Sequence, residues 1–485
     1  MTSKLTTAFL ATLAALPLSA RPAAAQPMTL NQCIDVALKK NPDVASATYE
    51  VDAAEALRKA ARGGFMPRLR LEGGIQRWDK KQEVDLTTSI GESVTPMIAG
   101  PLRQVAINNG LRPLNNSEFQ AAVGAAMLEA GVSNEPMVVR PQVTWSGSAT
   151  LVQPLTSLWT VKEGYDARKL GVKVAEIGRK TTDRDVAFQV TEAYYRLLQA
   201  MRMAEVAQKS VDNIDAQVKR SDAFYRQGTV GKNDLLRAQL GLASAKQRLI
   251  QAKGGVELAR GRLAMLMGLP PEAPISPADT VDDVKPAPIM PADVAESRAV
   301  ADRLELKQVS ARIEQARAGE GLAKSKMIPQ INAVGSVQVA PKTAFTPDNF
   351  AAFVGVTASW DIFEGGATYY GISEARSRVA QAQAARRKAE DGIRLEARSA
   401  QVNLITATEA LETARAAVVQ AEENFRIEQK RYEAADNTSF DVLDAENQLT
   451  TARGQHQAAI YEYLIAQSNL ARATGETSPS LGSNP

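Results

Sequence analysis

The chain has 485 residues, with 57 Lys and Arg against 54 Asp and Glu, a formal charge of +3, one His and one Cys. A balance this close to neutral leaves no electrostatic footprint for nucleic acid. A lone thiol excludes an internal disulfide framework, and one His with one Cys supplies too few ligands for a transition-metal site of that kind.

Lys4 precedes an apolar stretch, Ala8 to Leu18, that is too short to span a bilayer, and Ala23-Ala24-Ala25 follows as a small-residue cleavage site. Residues 1–25 are therefore expected to be a signal peptide, with the mature chain starting near Gln26. Losing Lys4 and Arg21 with no acid lowers the charge to about +1. Cys33 follows Leu30-Asn31-Gln32, without the small residues of a lipoprotein signal, and is expected to fill a packing position. Beyond the signal no apolar run of about 20 residues occurs, so no transmembrane helix is expected. An exported chain of this kind is either free in the periplasm or inserted as strands.

The remainder reads as one unit written twice. Residues 26–268 form the first repeat, 269–291 a proline- and aspartate-rich linker, 292–475 the second repeat and 476–485 a flexible tail. At a spacing of about 207 residues, Ala264-Met265-Leu266-Met267-Gly268 falls on Ala471-Arg472-Ala473-Thr474-Gly475, and Tyr225 on Tyr432. Each repeat opens with a helical pattern, Asn31 to Arg62 and Ala292 to Lys326, ending before Pro67 and Pro329.

Two alternating segments follow in each repeat, at 69–78 and 143–153, then at 331–340 and 353–363. Leu69, Leu71 and Ile75 oppose Arg70, Glu72 and Gln76, while Val143, Trp145, Ala149 and Leu151 oppose Thr144, Ser146, Ser148 and Thr150. Ile331, Ala333, Val337 and Val339 oppose Asn332, Ser336 and Gln338, and Val354, Val356, Ala358, Trp360 and Ile362 oppose Thr357, Ser359 and Asp361. Segments of about 10 residues with period-two alternation suit strands between lipid and water. Aromatics at or near their ends (Phe65, Trp78, Phe353, Trp360, Phe363) suit an interfacial girdle. Four strands cannot close a barrel, which needs about eight, and open edges cannot survive in lipid. Several copies must pool their strands. Residues 79–140 are an insertion on the outer side, with Phe119, Val123 and Met127 marking a short amphipathic helix. It is a lid over the exit or a surface loop, and the loop is the simpler reading.

Two long helices complete each repeat. Leu197, Ala204, Val211, Val218 and Tyr225 recur every seven residues, as do Leu404, Leu411, Val418, Phe425 and Tyr432. The returning helices carry Leu242, Leu249, Val256, Leu263 and Leu449, His456, Tyr463, Leu470, accompanied by alanines. Strict heptads mean coiled-coil packing. Helices of about 100 Å exceed any bilayer and would project from it. His456 is read as a packing residue. No phosphate-binding loop or nucleophile elbow occurs, so neither an enzyme nor a cofactor is expected.

The turns between long and returning helices are Arg226 to Gly231 and Ala434 to Ser439. Gly228 and Asn437 suit sharp reversals, and Asn233 and Asp234 are placed to cap the helix that follows. Asp441 and Asp444 share a face of the opposite helix start.

Thr29-Leu30 through Asn41-Pro42, Trp360-Asp361-Ile362-Phe363-Glu364-Gly365-Gly366, and Arg431-Tyr432 followed by Asp441-Val442-Leu443-Asp444-Ala445 resemble TolC-type outer membrane efflux proteins. The resemblance covers almost the whole chain except residues 79–140. It implies a mainly α fold with a membrane β-barrel portion: a homotrimer with a 12-strand barrel in outer membrane lipid and a coiled-coil helical barrel in the periplasm. It further implies a passive exit duct for efflux or type I secretion, docked to a periplasmic adaptor and an inner-membrane transporter. By the same resemblance Asp441 and Asp444 line a periplasmic aperture, where crowded carboxylates raise one another's pKa. Tyr432 and Asp234 join the two hairpins there. Gly228, Thr229 and Val230, with Asp436 and Asn437 on the second turn, contact the adaptor. Asn437 stands where the family leads one to expect a locking arginine, and Ala435 replaces the second glycine. The rival reading is a periplasmic coiled-coil scaffold or adaptor without a barrel.

Overall fold

The structure, a computed structural model, describes residues 27–84, 86–131, 135–281, 283–342, 348–434 and 436–476. The expected signal peptide, Ala435 and all of the expected tail but Glu476 lie outside the described residues.

The chain opens with β1 (Pro27–Met28), α1 (Leu30–Lys40), α2 (Pro42–Arg62) and β2 (Arg68–Arg77). The insertion holds β3 (Gln82–Val84), α3 (Leu86–Asn108), α4 (Asn116–Glu129) and β4 (Met137–Arg140). Next come β5 (Val143–Pro154), α5 (Leu158–Arg226) and α6 (Lys232–Leu266), then β6 (Ser276–Pro277) in the connection. The second half comprises α7 (Ala292–Asp302), α8 (Leu304–Ser325), β7 (Gln330–Val339), β8 (Phe350–Ser359), α9 (Ala367–Glu433) and α10 (Ser439–Ala473). The duplication is literal: α1 and α7 have 11 residues each, and α6 and α10 have 35 each.

One compact unit, drawn from residues 57–168 and 317–377, is built on a sheet of order β2-β5-β7-β8. All three pairings are antiparallel. Their register places the four apolar sets on one face: Leu71 opposes Ala149, Ala149 opposes Val337, and Val337 opposes Ala352. On the other face Glu72 opposes Ser148, and Ser148 opposes Gln338. There the Thr150 and Ser336 hydroxyls are 3.1 Å apart. Among the described residues nothing covers the apolar face, with Leu71 at 74 % and Val354 at 91 % exposure. Pairing of β7 with β8 ends at Gln330 opposite Ser359. The fourth strand thus stops before Trp360, earlier than its alternation suggests, because no backbone lies beside it to continue the ladder. The insertion holds two helices rather than one, and a β3–β4 hairpin at its base. Phe119, on α4, is buried.

The other unit, drawn from residues 27–56, 169–316 and 378–476, is helical. Heptad residues anchor its cores: Leu197 and Leu263, joined by Tyr194 and Cys33, in one cluster, and Leu404, Leu411, Tyr463 and Leu470 in another. Burial pushes the Cys33 thiol up to about 12, which suits a packing role.

The opening helical pattern of each repeat is not one helix but two. Asn41 (φ −65°, ψ 130°) and Arg303 (φ −61°, ψ 127°) adopt matching extended backbones that part α1 from α2 and α7 from α8. In the first repeat Pro42 explains the break, since a residue before proline avoids the helical region. In the second no proline follows, and Arg303 is held by tertiary contacts. Both breaks receive the end of a returning helix. Gly268 (φ +68°) has room for no side chain, as a Cβ would lie 2.3 Å from the Lys40 carbonyl oxygen. Gly475 (φ +96°) sits likewise against Asp302, at 2.8 Å. Asn41 Nδ2 donates to the Leu266 carbonyl at 2.8 Å, and Arg303 Nη1 to the Ala473 carbonyl at 3.4 Å.

Around Arg303 six charges close into a ring. Arg184 binds Glu305 and Asp185, Arg303 binds Glu305 and Glu396, and Arg472 binds Glu396 at 2.7 Å and Asp185 at 3.9 Å. The ring ties α5, α8, α9 and α10 together, with the Arg184 and Arg303 side chains 1 % and 4 % exposed. Burial alone would raise Glu305, but hydrogen bonds from both guanidiniums outweigh it and hold the carboxyl at about 2. A depressed carboxylate stabilises the fold above its ordinary value of 4.5 and loses that contribution as pH falls towards 2. Glu305→Ala leaves two buried cations short of a partner, and the expected loss is on the order of 3–5 kcal/mol. Chemical unfolding in detergent, followed by circular dichroism at neutral pH, measures it. The mutant and wild type should converge in strong acid.

Candidate functional site

The site lies in the helical unit, where the two hairpin turns meet. At the first turn Gly228 (φ +77°) ends α5 in a Schellman arrangement: its N–H donates to Tyr225 and that of Thr229 to the Phe224 carbonyl at 2.9 Å. At the second, the Asp436 N–H reaches back to the Arg431 carbonyl at 2.9 Å. Glycine supplies the left-handed residue at the first turn, and Ala435 lies outside the described residues. Gly228 and Thr229 are exposed and Val230 half-buried.

Asp234 does not cap its own helix. The N-cap of α6 is Gly231, which makes no side-chain cap bond. Instead the Asp234 carboxylate turns towards the other hairpin. Oδ1 accepts from the Ser439 N–H at 3.0 Å and the Ser439 hydroxyl at 2.6 Å, and Oδ2 accepts from the Tyr432 hydroxyl at 2.8 Å. Each of these bonds gives the carboxylate a donor that capping α6 would not, and together they outcompete the local role. Tyr432 is 1 % exposed, its hydroxyl is 2.9 Å from that of Ser221, and its ring packs on Phe224 with centroids 5.6 Å apart. Burial first, with the Asp234 charge adding to it, pushes the Tyr432 hydroxyl up to about 12, so it stays a donor. Arg220 adds a salt bridge to Glu433 at 3.1 Å.

The repeat is broken at this point. Asp441, the counterpart of Asp234, folds back on its own helix start and accepts from the Thr438 N–H at 3.0 Å and its hydroxyl at 2.8 Å. Those bonds hold Asp441 below the ordinary carboxylate range, opposite to the mutual elevation expected from crowding. Within one chain there is no crowding, because Asp444 is exposed and bonds Gln448 at 2.8 Å. Asp436 pairs with Arg431 at 3.1 Å. Asn437 does not bridge the hairpins in place of an arginine; its Nδ2 donates to the Glu428 carbonyl and carboxylate.

A polar seam between α5 and α10 extends the site and escaped the sequence reading. Glu446 is 2 % exposed and accepts from Asn213 at 3.0 Å and Thr450 at 3.1 Å. Gln217 is buried one turn from Ser221. The available signal was a polar residue at a heptad core position, since Ser221, Gln217 and Ile214 fall at three- and four-residue spacing on the buried side of α5. Burial raises Glu446, and neutral donors only partly offset it. Among the described residues no group of three or more His, Cys, Asp or Glu is arranged to hold a metal ion. Beside the turns, a groove of about 680 Å³ between α6 and α10 is lined by Leu240, Leu443 and Phe440, with Arg237, Arg248 and Asp444 at its rim.

A family profile described as outer membrane efflux protein matches residues 125–269 and 296–476, which is most of both repeats. The chain belongs to the outer membrane efflux protein family. The outer membrane efflux protein BepC of Brucella suis is 21% identical over 411 residues, spanning 80% of this chain and 88% of that protein. The outer membrane protein TolC of Escherichia coli is 22% identical over 318 residues, spanning 62% and 64%. The solved Campylobacter jejuni CmeC outer membrane channel superposes with a TM-score of 0.72 at 16% identity, covering 99% of this chain and 94% of that one. The chain is thus an outer membrane efflux channel with helices in the periplasm, and the reading as a free scaffold is set aside. The family consists of channel proteins. As in the fold described above, strands and long helices share one chain.

A raised carboxyl pKa makes the folded state hold its proton more tightly than the unfolded state does. That favours the fold at acid pH and is lost as pH rises past the ordinary value of 4.5 and through the raised one. Glu446→Gln should therefore be the more stable protein at neutral pH, by on the order of 1 kcal/mol, and lose that advantage below pH 4.5. Thermal melts of both proteins across the pH range decide it.

Proposed function

We propose that three copies of this channel pool their sheets into a 12-strand barrel and their hairpins into a tunnel that closes at the turns. The observation that carries this is the sheet itself. Four strands align one apolar and one polar face, with β2 and β8 left as edges. In lipid those edges need partners, and identical copies supply them by pairing β8 of one with β2 of the next. The count of three follows the family resemblance.

In this assembly Asp441 and Asp444 of each copy gather at the periplasmic aperture. Six carboxylates around one axis attract cations and bind multivalent ones. The Tyr432–Asp234–Ser439 contact holds one hairpin against the other and keeps the aperture narrow. Gly228, Thr229, Val230, Asp436 and Asn437 form the tips that meet a periplasmic adaptor, through which an inner-membrane transporter drives export. Exposed Leu236, Leu240 and Phe440 next to the tips suit an amphipathic helical partner. The channel performs no chemistry and moves substrates passively.

Planar-bilayer recording of purified oligomer tests the aperture. A small, cation-preferring conductance is expected. Asp441→Asn with Asp444→Asn should lose about tenfold or more in block by trivalent cations, as removal of paired charge–charge contacts implies. Unchanged selectivity and block would remove both residues from the aperture.

The barrel reading has its own test. Val354→Arg, at mid-sheet on the apolar face, should cost about 2–4 kcal/mol of folding into vesicles. Ser148→Arg on the polar face should be tolerated. Equal effects of the two changes would contradict a wall between lipid and water.

A further inference from the structure

Where β8 gives way to α9 the sheet unit holds a cavity of about 640 Å³ that the channel reading does not use. Its apolar wall is Trp360, Ile362 and Phe363, which are 56 %, 80 % and 90 % exposed. Its floor is Ile372, which is buried at 8 %. Tyr369, Ile372 and Arg376 follow at helical spacing, so one side of α9 faces the cavity.

Four charges line the same space, two of each sign: Lys326, Arg376, Asp361 and Glu364. Arg376 is steadied by Glu320 at 3.3 Å, and Glu364 by the Thr368 hydroxyl at 2.6 Å. Lys326 and Asp361 make no ion pair among the described residues, so each retains a full charge to offer.

Position selects the occupant. Trp360, Ile362 and Phe363 follow directly on Ser359, the last residue of β8, so the cavity opens at the end of the sheet. It lies at the end of β8 that leads into the long helix, where the proposed barrel gives way to the periplasmic helices and so reaches the edge of the hydrocarbon. A second copy joining the sheet would pair along the β8 ladder, which ends at Ser359, whereas the apolar wall of the cavity begins beyond it at Trp360. Exposed Trp and Tyr at such a level favour the headgroup boundary, and the two cations among the four charges suit a headgroup phosphate.

We propose that this cavity binds one glycerophospholipid with a zwitterionic aminoalkyl-phosphate headgroup. Lys326 and Arg376 take the phosphate, Asp361 and Glu364 take the ammonium, and an acyl chain lies over Trp360, Ile362 and Phe363. The paired signs distinguish this headgroup from an anionic one, whose phosphate would meet the same cations but whose glycerol would leave both carboxylates unanswered. The site would anchor the strand-to-helix junction at a fixed depth.

The proposal rests on the sheet being a barrel wall in lipid, so both are read in one experiment. The full-length channel is purified in mild detergent and supplied with phosphatidylethanolamine or phosphatidylglycerol. Native mass spectrometry then counts subunits and retained lipids together. Wild-type oligomer should retain phosphatidylethanolamine in preference to phosphatidylglycerol. Lys326→Glu should weaken that retention by about tenfold with the oligomer intact. Asp361→Asn should erase the preference by letting phosphatidylglycerol bind equally well, a gain that misfolding cannot produce. Equal retention of the two lipids by wild type overturns the proposal, as does unchanged retention in Lys326→Glu. A crosslink from Phe363→Cys to a neighbouring copy, with no lipid held, assigns the cavity to the subunit interface and also overturns it. An intact oligomer without lipid sinks this site alone, whereas a chain that stays monomeric sinks the barrel as well.

Discussion

Backbone pairing in lipid governs this protein. A strand in the hydrocarbon of a bilayer has no water to satisfy its N–H and C=O groups, so every edge must find another strand. Here a single chain offers four strands in the order β2-β5-β7-β8, with an apolar face that its described residues leave uncovered. Such a sheet would be an aggregation hazard in water. In the assembly proposed above, the same edges pair with those of identical copies in the membrane. The apolar face then needs no core, because the lipid serves as one.

The helical unit solves a different problem with the same duplicated text. Its heptads bury leucines and tyrosines along the helices, but the joints are polar. Each repeat breaks its opening helix at one residue, Asn41 or Arg303, and seats the glycine of a returning helix on the break. The first joint follows from a proline. The second depends on a closed ring of three arginines and three carboxylates, where each cation lies between two anions. Replacing a covalent constraint with an ionic one leaves the second joint to be loosened when acid protonates Glu305.

Duplication also supplies material for asymmetry. Asp234 and Asp441 occupy equivalent positions, yet one reaches across to Tyr432 and Ser439 while the other caps its own helix. Tyr432 is buried where Tyr225 is 40 % exposed. The hairpins therefore meet through a polar contact that only one copy of the motif makes. Beside it, Glu446 and Gln217 place buried polar groups in a seam that leucine would have sealed. A seam of that composition closes less firmly than an apolar one, since its groups are also well served by water.

The sequence alone determined whatever depends on periodicity. Period-two alternation assigned the wet and greasy faces of all four strands, and heptads assigned the buried side of α5, α6, α9 and α10, because side-chain direction follows backbone geometry residue by residue. The family was legible too, through motifs spread in order along both repeats. Tertiary structure decided whatever depends on which groups compete for one partner. Asp234 reads locally as a helix cap, and only the approach of Ser439 and Tyr432 redirects it. The break at Arg303 has no local cause, and β8 ends where β7 offers no further backbone. Asn213 and Ser221 lie on α5 and Glu446 stands 233 residues beyond Asn213, and no spacing rule reveals that a coiled coil carries them into one seam.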